Sequence, residues 1–249
     1  MLFCLHRPID TAYDRVMLLW FQNNTLILKA LAWQIMVAGG ALVVLFGIAG
    51  TWMWLTGWIF FVLFFGFVGW LYSWLHVTRP DLLRERLIFF HAAQPIWDKI
   101  WLVAFYVLSL AWLGLQPLDA IRWRWSQVPL GATALGLVLL LCSLVGIFLV
   151  IRENAFLSPL ARLQADRHQT VISTGPYAAV RHPLYTAASC FYLAVPLVLG
   201  SWLGLLAAPI FIILMMWRAG REECMLQDGL PGYQAYMTRV KYRFIPRVW

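Results

Sequence analysis

Apolar residues in this chain come in long unbroken runs rather than in alternation or on one helical face. From Leu26 to Ile48 the only charged side chain is Lys29, close to one end of the run. Comparable runs cover Trp52–Leu75, Ile100–Leu118 and Leu130–Ile151. A helix needs about 20 apolar residues to cross a bilayer, so these four runs predict four full spans. A further apolar region, Leu184–Trp217, is interrupted by Pro196, Gly200 and Pro209. It is too long for one crossing and short for two. It predicts a helical hairpin of two shortened arms, Leu184–Leu199 and Trp202–Trp217, turning at Gly200–Ser201.

Two polar stretches, Arg152–Pro183 and Arg218–Trp249, flank this hairpin, which therefore brings them together in space. The span interiors are nearly free of ionisable groups, whereas a transporter places such groups in mid-span. Any chemistry belongs at the mouth of the bundle. Composition agrees: 62% of the 249 residues are hydrophobic and 12% charged, against about 45–50% and about 25% in soluble domains. The expected fold is all-α, a polytopic integral membrane helical bundle of about four full spans. A C-terminal short helical hairpin and a polar cytoplasmic tail complete it. Residues 1–151 supply the N-terminal transmembrane helices and 152–249 the C-terminal region, in one structural unit without a separate soluble domain.

Charge orients this bundle. With six crossings, all of the 19 Lys and Arg residues except Arg122 and Arg124 fall on the side of the two termini. The positive-inside rule then makes both termini and the candidate site cytoplasmic. The net charge of +8 thus reflects topology and anionic lipid headgroups rather than nucleic acid. Trp residues such as Trp52, Trp58, Trp97 and Trp123 cluster near span ends, as an aromatic belt does. Cys4, Cys142, Cys190 and Cys224 are scattered without metal or disulfide spacing. The first fifteen residues lack the pattern of a cleavable leader. Oligomeric state leaves no mark in the pattern.

Within the first polar stretch, Phe156, Leu160 and Leu163 recur at helical spacing and predict a short amphipathic interfacial helix. His168 follows in a loop, as a solvated residue or a ligand contact, then a turn at Gly175–Pro176. Pro183 suits the first position of a helix and biases His182 away from helical geometry. Arg181 and His182 then stand beside free backbone N–H groups at a helix start. That arrangement suits a carboxylate or another anion, or else a snorkelling Arg with a capping His. In the second stretch Arg218 and Glu222 are four residues apart and share a face, with Glu223 about 100° round. They form either a plain surface ion pair or a place for ribose hydroxyls or a cationic group. After a break at Gly229–Gly232, Tyr233, Tyr236 and Val240 predict a short helix packed back on the loop. These pieces together suit a small zwitterionic, partly aromatic ligand.

The stretch "GPYAAVRHPLY" (Gly175 to Tyr185), followed by "RAGREECML" and "GYQAYMTRVKYRFIP", resembles the isoprenylcysteine carboxyl methyltransferase family, which is related to phospholipid methyltransferases. "ENAFLSPLARLQADRHQTVISTGPY" is similar to the segment that precedes this motif. "TRPDLLRERL" and "WDK" are similar in a looser way. The resemblance implies a membrane methyltransferase using S-adenosylmethionine, without the glycine fingerprint of soluble methyltransferases, and a lipophilic or small acceptor carrying a carboxylate, amine or thiol. It implies cofactor contacts from His168, Gly175, Tyr177, Arg181, His182, Pro183, Tyr185, Glu222 and Glu223, with Arg218 and Glu222 at the reacting groups and no metal. Ala187 stands where many relatives have glycine, which would narrow the pocket. Sterol reductases using NADPH carry a similar Arg-His pair, but there an Asn stands where this chain has Leu184. A lipid-binding protein with a disused site is the non-enzymatic alternative.

Overall fold

Helix is the only regular secondary structure among the residues described, 12–246, in this computed structural model; side chains are described from Asn24 onward. The side chains of Cys4, Arg7, Arg15 and Arg247, most of the first fifteen residues weighed for a leader pattern, and both chain ends lie outside that range. Eight α-helices follow in chain order: α1 (Ala12–Leu42), α2 (Leu55–Thr78), α3 (Pro80–Arg86), α4 (Ile96–Pro117), α5 (Leu130–Glu153), α6 (Pro183–Leu199), α7 (Trp202–Gly229) and α8 (Tyr233–Arg239). Wide π-type turns extend α1 through Val43–Gly47 and α4 through Leu118–Arg122.

Five of these helices are long and apolar enough to cross a membrane: Asn24–Gly47, Leu55–Thr78, Ile96–Arg122, Leu130–Glu153 and Trp202–Gly229. The protein is a multi-pass helical bundle, as the apolar runs predict. The hairpin needs one correction. Its first arm is short, 17 residues, but its second runs for 28 residues, through Pro209 and on past Trp217 to Gly229. At 1.5 Å per residue that is about 42 Å, enough to cross the apolar layer and project beyond it. Arg218, Glu222 and Glu223 therefore ride on a rigid continuation of a span rather than on a loop.

The turn between the arms falls where expected. Gly200 has φ +86°, in the left-handed region where a side chain is strained. Ser201 caps α7 by accepting from the Gly204 N–H at 2.9 Å, and its hydroxyl donates to Asp119 Oδ2 at 2.6 Å. That carboxylate also accepts from the Ser126 hydroxyl at 2.6 Å and the Leu203 N–H at 3.2 Å. A buried acid thus bolts the hairpin tip to the α4–α5 connection, next to Arg122 and Arg124. The other lysines and arginines of the described loops lie at the opposite end, where Arg162 bridges to Glu85 at 2.9 Å.

Along its length α6 packs against α5 more extensively than any other described pair. Gly136 permits the approach: a Cβ there would lie 2.6 Å from Leu197 Cβ and 3.0 Å from the Val198 backbone nitrogen. Gly136→Ala is expected to push the two helices apart and cost about 1–3 kcal/mol, the usual range for overpacking. A lowered melting temperature in detergent is the readout; an unchanged one contradicts the packing argument. Aromatic rings fill the centre, with Tyr192 stacked on Phe211 at 4.4 Å and Trp112 Nε1 donating to Gly204 O at 2.8 Å.

The interfacial helix predicted from Phe156, Leu160 and Leu163 does not form. Residues 154–164 form an irregular loop with one turn at 155–156. Local and tertiary hydrogen bonds outcompete the periodicity: Asn154 Oδ1 accepts from Phe156 N at 2.8 Å, Ser158 Oγ from Leu160 N at 3.1 Å, and Asp98 Oδ2 from Ala161 N at 2.9 Å. The predicted C-terminal helix does form as α8, with Tyr233, Tyr236 and Val240 buried against Leu163 and Val171.

Candidate active site

The polar end of the bundle is built around the start of α6. Pro183 occupies the first turn of that helix, and residues 240–244 run back alongside Arg181 and His182 as a strap. The Arg181 N–H donates to Tyr242 O and the His182 N–H to Arg243 O, both at 2.9 Å, while Thr186 Oγ1 donates to Phe244 O at 2.7 Å. These two N–H groups are therefore occupied by the strap rather than free for an anion as the sequence led one to expect.

Arg181 is likewise committed to structure. Its Nε donates to Glu223 Oε1 at 2.6 Å and its Nη1 to the carbonyls of Val240 and Lys241, each at 2.8 Å. Glu223, 1% exposed, also accepts from Arg243 Nε at 2.8 Å and lies 3.2 Å from His182 Nε2. One buried carboxylate thus ties α6, α7 and the strap together.

Glu222, the next residue, has a different environment. Tyr185 donates to its Oε1 at 2.8 Å, and Arg218 Nε lies 3.3 Å from the same oxygen. Its Oε2 is 3.9 Å from His182 Nδ1, beyond hydrogen-bond reach. The side chain is 18% exposed, into a cavity of about 430 Å³. Arg218 is anchored on the far side by Asp98 Oδ1 at 2.9 Å and Pro159 O at 2.7 Å, with its guanidinium 4.4 Å over the Trp101 ring. Asp98 is wholly buried, its other oxygen taken by Gln94 Nε2 at 2.7 Å and the Ala161 N–H.

The cavity has two kinds of wall. Near the strap it is polar, with Asn154, Gln164, Tyr177, His182, Tyr233 and Tyr236. Further in it is apolar, with Phe64 from α2, Phe105 from α4, Ile147 from α5, and Phe191 and Tyr192 from α6. Tyr192 lies about 10 Å along α6 from Tyr185, so the cavity reaches down into the membrane-crossing part of the bundle. Asn154 Nδ2 donates to the Tyr177 hydroxyl, and Tyr236 donates to the Tyr177 carbonyl, each at 2.8 Å. Burial raises the phenols of Tyr177 and Tyr233 well above the usual value and pushes Tyr236 up to about 12. All three are therefore neutral O–H groups at neutral pH.

Of the residues singled out from sequence, Tyr177, Arg181, His182, Tyr185, Arg218 and Glu222 line the cavity together. Glu223 and Pro183 are buried behind them. Gly175 sits outside the lining in a turn with φ +55°, packed on Glu153. His168 is exposed on the surface of the loop and has no place in the cavity wall. The Ala187 methyl does not narrow the pocket either. It faces α5, where a Cβ added at Gly146 would meet it at 3.1 Å and where Ser143 donates to the Ala187 carbonyl. Sequence reasoning missed Asp98, Trp101 and Asn154. The signals available were an isolated acid in "QPIWDKIW", at the threshold of an apolar run, and the place of Asp98 and Asn154 within the two segments quoted for the resemblance. Among the described residues there is no cluster of side chains suited to a metal ion.

Residues 131–230 match the model of the family described as phospholipid methyltransferase. The match runs from the start of α5 to the end of α7 and includes Arg181, His182, Tyr185, Arg218, Glu222 and Glu223, while α1–α4 and the strap lie outside it. No curated protein matches the chain. The fold and the matched segment together point to a membrane methyltransferase.

Proposed function

We propose that this protein is an S-adenosylmethionine-dependent methyltransferase of the isoprenylcysteine carboxyl methyltransferase type, acting on a lipophilic or small acceptor at the cytoplasmic membrane interface. In this reading residues 152–249 form the catalytic region, and the helices of residues 1–151 share the apolar wall with α6. The observation that carries the reading is Glu222: a carboxylate held in place by Tyr185 and Arg218, yet presenting an oxygen without a hydrogen bond to a cavity that passes from polar to apolar.

S-adenosylmethionine would supply a methyl carbon made electrophilic by its sulfonium. The residues present suit such a group. Glu222 offers a carboxylate to an ammonium or to ribose hydroxyls, and His182 and the neutral phenols of Tyr177, Tyr233 and Tyr236 offer hydrogen bonds and ring faces. Arg181, Glu223 and Arg243 do not touch the ligand through their bonded atoms; they hold the strap and the two helices in register. The site then works mainly by proximity and orientation. A carboxylate acceptor, with a pKa near 3.5, needs no base at neutral pH. An amine or thiol acceptor needs its proton taken, and Glu222 is the carboxylate within the cavity that can take it. The apolar wall gives such an acceptor a route from the bilayer.

Calorimetry on the purified protein in detergent is expected to show saturable binding of S-adenosylmethionine and of S-adenosylhomocysteine at one site per chain, and none of NADPH. Binding of NADPH with silence toward both sulfur compounds would overturn the proposal.

A further inference from the structure

Four arginines line the cavity, and three of them face acids. Arg162 bridges Glu85 and Asp166, Arg181 bridges Glu223, and Arg218 bridges Asp98 and Glu222. Arg86, the last residue of α3, is the exception. Among the described residues it has no carboxylate within ion-pair distance, and its hydrogen bond is a single long one, from Nη1 to Leu157 O at 3.3 Å. It is partly buried. The titratable side chains that face it are the phenols of Tyr72 and Tyr106. Burial lowers its pKa from the ordinary guanidinium value, and a guanidinium keeps its charge regardless. A cation taken partly out of water, with five N–H donors of which one is engaged, is costly unless an anion completes it.

We propose that Arg86 is a recognition point for an anionic headgroup, a phosphate or carboxylate carried on a hydrocarbon tail, where the charged end of the cavity meets its apolar wall. Resting on the methyltransferase reading above, that amphiphile is the methyl acceptor, and Arg86 is a specificity-determining residue. Its planar fork matches two oxygens of either anion. The tail lies along the aromatic wall that includes Phe105 and Tyr106. Acceptors with a cationic headgroup and no anion are disfavoured at this point.

The test uses purified protein in a non-ionic detergent, with bound cis-parinaric acid displaced by dodecyl phosphate, dodecanol or dodecyltrimethylammonium. Wild type is expected to prefer the phosphate to the alcohol by about tenfold or more, the range of a charge-assisted hydrogen bond. Arg86→Gln should reduce that preference to about twofold or less while leaving dodecanol binding unchanged, and Arg86→Lys should keep most of it. A wild-type protein without the preference, or with one for the ammonium, overturns the proposal even if Arg86→Gln fails to fold. An Arg86→Gln protein that folds and keeps the preference overturns it too. Two further arms identify the source of the anion. Displacement of dodecyl phosphate by inorganic phosphate alone assigns a free small anion, and loss of the preference in phosphatidylglycerol but not phosphatidylcholine nanodiscs assigns a boundary lipid. Either result overturns the acceptor assignment, and resistance to both upholds it. S-adenosylhomocysteine binding measured alongside separates the two claims: its absence in wild type sinks the methyltransferase reading, while the charge preference is judged on the displacement series.

Discussion

Glu223→Ala is expected to lower the melting temperature in detergent by roughly 10 °C and to release the strap. The carboxylate that disappears is the shared partner of Arg181, Arg243 and His182, at 2.6, 2.8 and 3.2 Å, in a place with almost no solvent. Removing one partner of a buried ion pair costs about 3–5 kcal/mol, because the other charge is left uncompensated. In a chain of this size that corresponds to a shift on the order of 10 °C. Limited proteolysis gives an independent readout: cleavage after Lys241 or Arg243 should become rapid, while the membrane-crossing helices stay intact. Wild-type stability together with a protease-resistant strap would show that Glu223 does not hold this end together.

Glu222→Gln should behave in the opposite way. The amide oxygen still accepts from Tyr185, the shape is nearly unchanged, and the side chain borders the cavity rather than the core. Stability should stay within about 1 kcal/mol of wild type. Binding of S-adenosylmethionine should weaken by one to two orders of magnitude, the effect of losing a hydrogen bond to a charged group worth about 1.5–3 kcal/mol. Equal binding in the two proteins would remove Glu222 from the ligand's contacts. On the proposed reading the neighbours divide the work, one for assembly and one for the ligand, and the paired measurements test that division.

That division was not legible in "GREECML", where two identical letters stand side by side. It depends on which face of α7 meets the strap, and the strap follows α7 by a dozen residues. The spans themselves were legible because a run of apolar residues at bilayer length has few other uses. The turn at Gly200 was legible because a left-handed backbone position selects glycine. The length of α7 was not. Hydropathy falls at Arg218, yet the residues that follow it, among them Arg, Ala, Glu, Met, Leu and Gln, are good helix formers, and the helix continues until Gly229. The loop of residues 154–164 misled for the converse reason. Its leucines keep helical spacing, but Asn154, Ser158 and Asp98 satisfy its backbone in another way. Asp98 is a single acid at the edge of an apolar run, and its importance appears only once α4 and α7 are side by side. The gathering of Arg181, His182, Tyr185 and Glu222 was foreseeable from hairpin topology; the engagement of the Arg181 guanidinium and backbone by residues 240–243 was not.

The strap also sets an order of events. Its residues leave the ribosome after the five membrane-length helices described above, and the backbone pairing at Arg181 and His182 cannot form until they arrive. Completion of the cavity wall at the start of α6 therefore comes after insertion of the spans. A half-made chain already lodged in the membrane has an unfinished cavity at its polar end.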